Sequence, residues 1–146
     1  MSDALRGLYQ DLILDHARRK VGYGDLEHAD HSDEGRNPLC GDEVKVELAV
    51  DDAGVVTALG WTGDGCSISQ ASASVLGETA PGLTIDELQQ RIEMFRELLR
   101  SRGEAEPDEE LLGDAVAFTG VARFPMRVKC AALAWVTAES ALLNRE

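Results

Sequence analysis

An α+β fold, a small antiparallel β-sheet covered on one face by several α-helices, follows from three features of this 146-residue sequence. Apolar residues alternate with period two from Val44 to Val50, which marks a strand with one buried face. Apolar residues recur at offsets of three and four near both ends of the chain, which marks amphipathic helices. The order of elements, one helix, then strands, then several helices, segregates the two types as an α+β chain does.

The first helix carries Leu5, Leu8, Tyr9, Leu12, Ile13 and His16 on one stripe and ends near Arg18, Arg19 and Lys20. From Val21 to Leu39 the pattern dissolves into Gly, Asp, His and Asn and closes on Asn37-Pro38, so this stretch reads as a loop with short extended pieces at most. Val44, Val46, Leu48 and Val50 form the first strand, and Asp52-Ala53-Gly54 turns the chain into a second extended run, Val55 to Trp61. Gly63, Gly65 and the small residues Ser67 to Ser74 predict a tight turn opening into a closely packed helix.

Thr84 and Glu87 form a capping-box signature, and Ile85, Leu88, Ile92, Phe95 and Leu99 continue at helical spacing to about Arg102. The acidic stretch Gly103 to Glu110 reads as a connection with a solvated surface. Leu111, Leu112, Val116 and Phe118 predict a short helix. The last helix, rich in Ala, carries Cys130, Leu133, Val136 and Leu142, and Pro125 suits its first turn.

An apolar content of 44% is enough for one core over residues 1–146 without disulfide staples. No apolar run approaches the roughly 18 residues of a membrane span, and MSDALRGLYQ lacks the layout of a signal peptide, so a cytoplasmic location is expected. Fourteen Lys and Arg against 27 Asp and Glu leave a formal charge of −13, which repels a phosphate backbone. Neither nucleic acid nor a membrane is an expected partner.

Three cysteines cannot all pair within one chain, and in a reducing compartment metal or thiol chemistry competes with the plain alternative of buried, inert thiols. Cys40 lies two residues before Asp42, with Gly41 between them allowing both side chains to turn toward one point. Cys66 follows Gly63-Asp64-Gly65 at a predicted helix N-terminus, and Cys130 follows Arg127 and Lys129. A helix N-terminus and neighbouring cations both favour a thiolate, the form that binds metal and attacks as a nucleophile. Three thiolates and a carboxylate suit tetrahedral zinc rather than magnesium or calcium. The long spacing leaves a shared metal site and separate inert cysteines both open at this point.

The strings Asn37-Pro38-Leu39-Cys40-Gly41-Asp42, Gly63-Asp64-Gly65-Cys66-Ser67-Ile68-Ser69 and Arg127-Val128-Lys129-Cys130 resemble the three cysteine motifs of the IscU/NifU-N superfamily of iron–sulfur cluster assembly proteins. With the Tyr9 to His16 helix they span nearly the whole chain in the family's order. Within the superfamily the chain is similar to the SufU branch. Lys129 stands where IscU scaffolds have His, and the segment between Cys66 and Cys130 is long enough for the extra helical insert typical of SufU.

The resemblance implies a SufU/IscU-like α+β fold in which Cys40, Asp42, Cys66 and Cys130 coordinate one zinc ion. It also implies a sulfurtransferase activity. A SufS-type cysteine desulfurase carrying persulfide sulfur is the implied donor, and downstream Suf scaffold proteins are the next acceptors. In SufU-like proteins a His of the desulfurase displaces the first motif's Cys from zinc, which makes Cys40 the implied sulfur acceptor here. Arg127 matches the motif's Arg and joins Cys40 as a catalytic candidate, supporting the site or the partner contact. Two alternatives stand beside this reading: a scaffold assembling a [2Fe–2S] cluster on the same thiolates, and a zinc site that only holds loops together.

Other residues read more plainly. His16 falls on the core-facing stripe as a hydrogen-bonded packing residue, and His28 and His31 as solvated loop histidines. Trp61 and Trp135 read as core residues, and Arg18, Arg19 and Lys20 as a solvated helix end.

Overall fold

The computed structural model describes residues 3–38, 41–104 and 106–143, with side chains from Gly7 onward; Cys40 and the side chain of Leu5 lie outside the described residues. Five α-helices and three strands follow in order: α1 (Asp3–Arg19), β1 (His31–Asn37), β2 (Asp42–Val50), β3 (Val56–Asp64), α2 (Ser67–Thr79), α3 (Ile85–Arg100), α4 (Glu109–Leu112) and α5 (Pro125–Leu143). Two 3₁₀ segments, Gly113–Thr119 and Val121–Arg123, lead from α4 into α5. None of the described helices is long and apolar enough to cross a membrane.

The strands form one antiparallel sheet in the order β1-β2-β3. Along β2, Asp42, Val44, Val46 and Leu48 are buried at every second position, so the first inward-facing residue of this row is a carboxylate. The turn into β3 is built by Asp51, whose Oδ1 accepts the N–H groups of Ala53 and Val55 at 2.9 Å, with Gly54 in the left-handed region.

The loop read between Val21 and Leu39 contains a strand. Residues 31–37 pair along their whole length with β2, from His31 opposite Leu48 to Asn37 opposite Asp42. His31 is accordingly buried on β1 rather than solvated in a loop, whereas His28 is exposed beside Asp30 at 3.0 Å. The strand also serves as a floor for α5. A Cβ at Gly35 would lie 2.1 Å from Thr137 Oγ1 and 3.2 Å from Leu133, so the missing side chain lets the helix approach.

The covering layer is close-packed because α2 and α5 meet through small side chains. Ser69 and every residue from Ala71 to Gly77 are buried on α2, and Ala131, Ala134, Ala138 and Ala141 on α5. Trp135 Nε1 donates to Ser72 O at 3.2 Å, and Trp135 is completely buried, stacked on Phe95 with centroids 4.3 Å apart. The inward face of α5 is thus this Ala–Trp stripe, while Val136 is exposed and Leu133 and Leu142 are half-buried.

On α3 the capping box is complete: Glu87 N–H donates to Thr84 Oγ1 at 3.1 Å, and Thr84 N–H to Glu87 Oε1 at 3.0 Å. The helix stops at Arg100, two residues short of the expected end, because Arg102 and Gly103 take positive φ. On α1, Tyr9, Ile13 and His16 face inward, but Leu8 is 55% exposed. The predicted short helix around Leu111 to Phe118 divides into α4 and a 3₁₀ segment at Gly113, where φ is +55°.

Candidate metal and sulfur site

The fold converges three of the four predicted donors. Asp42 opens β2, Cys66 is the N-cap residue of α2, and Cys130 sits in the second turn of α5. Their ligand atoms all lie within 4.8 Å of one another. Asp42 and Cys130 are buried and Cys66 is exposed, so the cluster has two interior walls and one edge open to solvent.

Asp42 organises this cluster. Its Oδ1 accepts the Cys66 backbone N–H at 3.1 Å, and its Oδ2 lies 3.8 Å from Cys66 Sγ. Gly65 is required by that proximity, since a Cβ there would stand 2.9 Å from both Asp42 Oδ1 and Ser69 Oγ. Gly63 is required by the sheet beneath, because its Cβ would meet Glu43 O at 2.1 Å. Cys130 Sγ lies 3.7 Å from Met126 O, one helical turn back.

Cys40 lies outside the described residues, but its neighbour Gly41 is held by an N–H donated to Asn37 O at 2.8 Å and has φ +73°, a turn that Gly accommodates. Arg127 and Lys129 are both exposed, and neither forms a salt bridge with a described residue.

The donors fit zinc. With Zn–S near 2.3 Å and Zn–O near 2.1 Å, a tetrahedral S···O edge is about 3.6 Å. The Asp42 Oδ2···Cys66 Sγ separation of 3.8 Å needs almost no rearrangement to match it. Two thiols and a carboxylate also form a soft-to-borderline set, suited to zinc or iron rather than to magnesium or calcium.

A second group, His16, Glu78 and Asp114, brings its ligand atoms equally close. The fully buried His16 ring lies 2.8 Å from Ser74 Oγ through Nδ1 and 2.8 Å from Asp114 Oδ2 through Nε2, with Glu78 Oε2 at 3.3 Å. It therefore ties α1 to α2 and to the 3₁₀ segment. The partners Ser74, Glu78 and Asp114 carry no pattern in the sequence that links them to His16.

The family described as the NifU-like N terminal domain matches residues 8–131. The chain belongs to this family. An iron–sulfur cluster assembly scaffold protein IscU of Thermotoga maritima is 41% identical over 92% of this chain and 92% of its own length. The zinc-dependent sulfurtransferase SufU of Bacillus subtilis is 33% identical over 95% of this chain and 92% of its own. Among solved structures, a SUF-system scaffold protein, FiSufU, of Fervidobacterium islandicum AW-1 superposes with a TM-score of 0.83 at 36% identity, covering 90% of this chain and 94% of that one. The three-stranded antiparallel sheet with its five α-helices is a SufU/IscU-like fold, as the superposition with FiSufU shows.

Proposed function

We propose that the chain is a zinc-dependent sulfurtransferase of iron–sulfur cluster assembly, working in the cytoplasm with a SufS-type cysteine desulfurase. The observation that carries the reading is the meeting of the Asp42 carboxylate with the Cys66 and Cys130 thiols at a site with one open edge. A closed site with a purely structural role more often uses Cys and His alone. The similarity to a named zinc-dependent sulfurtransferase over nearly the whole chain supports the same reading.

In this reading Cys40, Asp42, Cys66 and Cys130 hold one zinc ion. When bound, the ion keeps the thiolates deprotonated and shields them from stray oxidants. Sulfur transfer is an exchange with no net oxidation. The Cys40 thiolate attacks the outer sulfur of the desulfurase persulfide, one S–S bond forms, and the donor's S–S bond breaks. The donor cysteine leaves as a thiolate and Cys40 becomes the persulfide, which downstream Suf scaffold proteins receive. Asp42, Cys66 and Cys130 keep the site assembled while Cys40 is engaged. Arg127, exposed three residues before Cys130, supports the partner contact.

The similarity to IscU scaffolds favours a second reading, a [2Fe–2S] cluster assembled on the same thiolates. One experiment separates the two. Cysteine-dependent sulfide release by a SufS-type desulfurase is measured with the zinc-loaded protein and with Cys40→Ala. Strong stimulation lost in Cys40→Ala, with zinc near one per chain, is the expected result. No stimulation, together with a stable cluster after addition of iron and sulfide, overturns the sulfur-transfer reading in favour of the scaffold.

A further inference from the structure

A groove of about 730 Å³ runs beside the Asp42–Cys66–Cys130 cluster. It is lined by Tyr9, Ile13 and Leu14 of α1, by Ile68 in the first turn of α2 and by Phe124 at the entry to α5. Leu14 and Phe124 are each more than half exposed although both are large and apolar. Ser67, which follows Cys66, and Arg127, three residues before Cys130, also line the groove, so it reaches the immediate sequence neighbours of two of the donors.

Among the residues that line the groove there are two arginines and no carboxylate. Arg123 and Arg127 line it and Lys129 follows them in sequence, all three exposed and none salt-bridged to a described residue. A chain of net charge −13 thus presents three cations within seven residues, next to an uncovered apolar trough. A second copy of the same acidic chain would bring two large like charges together, which disfavours it as the occupant. An apolar anchor between carboxylates matches both features of the groove.

We propose that this groove docks a segment of the desulfurase in which an apolar side chain is flanked by acidic residues, the apolar group lying against Leu14 and Phe124 and the carboxylates against Arg123 and Arg127. The proposal rests on the sulfur-transfer reading and adds to it the surface and the chemistry of recognition. It assigns Arg123 and Phe124 to affinity rather than to the transfer step.

The test uses the zinc-loaded full chain and a SufS-type desulfurase, with Phe124→Ala, Arg123→Glu and, as a remote exposed control, Leu143→Ala. Binding is titrated directly at low and high salt, and sulfide release is measured against concentration of this protein. Phe124→Ala and Arg123→Glu each raise Kd and KM by about 10-fold or more while kcat and zinc content stay within twofold of wild type. Arg123→Glu also flattens the salt dependence, and Leu143→Ala changes nothing. Wild-type binding and stimulation that persist unchanged in both groove variants overturn the proposal and leave the sulfur-transfer reading standing. Absence of any binding or stimulation by wild type overturns both. Self-association that both variants abolish, with desulfurase binding unaffected, overturns the proposal in favour of an interface between copies.

Discussion

The Asp42 carboxylate accepts the backbone N–H of Cys66 through Oδ1 at 3.1 Å and places Oδ2 3.8 Å from the Cys66 sulfur, so one side chain holds both the start of α2 and its thiol. The contact depends on the empty space at Gly65. Because Gly65 does not occupy the left-handed region, alanine there meets no backbone strain, only the Asp42 and Ser69 oxygens 2.9 Å away. Gly65→Ala is therefore expected to push the carboxylate out of place. Zinc affinity, measured by competition with a chromogenic chelator, falls at least about 10-fold. The zinc-free protein melts within a few degrees of wild type, which separates the effect on the site from an effect on the fold.

His16 makes a prediction of the opposite kind. Its ring has no solvent exposure and bridges Ser74, Asp114 and Glu78, so His16→Ala removes buried hydrogen bonds and leaves a cavity between α1 and α2. The expected cost is roughly 2–4 kcal/mol in urea unfolding. Zinc affinity of the folded fraction stays as in wild type, since none of these atoms belongs to the Asp42 cluster.

Asp33 ties β1 to α5 and makes stability depend on acid. The Ser140 hydroxyl donates to its Oδ2, and the Glu34 N–H donates to Oδ1 at 2.8 Å. These bonds, the Ser140 bond first, hold the Asp33 carboxyl below the ordinary carboxylate range against a smaller opposing effect of burial. A carboxyl whose value is lower in the folded chain stabilises it above the unfolded value, about 3.9, and loses that contribution as pH falls through the folded value. Ser140→Ala is expected to lower the melting temperature at neutral pH. The gap to wild type holds down to about pH 4 and narrows below it, which a series of thermal melts from neutral to acidic pH reads directly.

The sequence disclosed what depends on local pattern. The β2 alternation, the Thr84–Glu87 cap, the position of Cys66 at a helix N-terminus and that of Cys130 on the last helix each depend on near neighbours, and each appears in the structure at its expected place. Residues 31–37 were hidden because HSDEGRN has no apolar alternation. Its strand exists through pairing with β2 and through Gly35 beneath α5, relations that only the tertiary fold supplies. The inward face of α5 was legible only at Trp135, which the sequence places in the core; the alanines beside it bury against the small residues of α2, while the larger aliphatic Val136 is left outside. The basic apolar groove draws on α1, α2 and the entry to α5, and no single stretch of sequence contains it.

The dispersal of Asp42, Cys66 and Cys130 over three elements has a consequence for the order in which the molecule is made. The large side chains that close the interior, Trp135, Phe95, Phe118 and Leu48, are completely buried without any help from the donors. An ion held by these donors, as proposed, would find no preformed nest in the unfolded chain, where loop closure across distant segments opposes it, and is not expected to nucleate the fold as it does in a zinc finger. On the zinc-bound reading, the polypeptide frame is expected to form first, and an ion bound afterwards would deepen the native well by mass action. Stripping and reloading a bound ion would then be a surface event at the Cys66 edge rather than a cycle of unfolding and refolding.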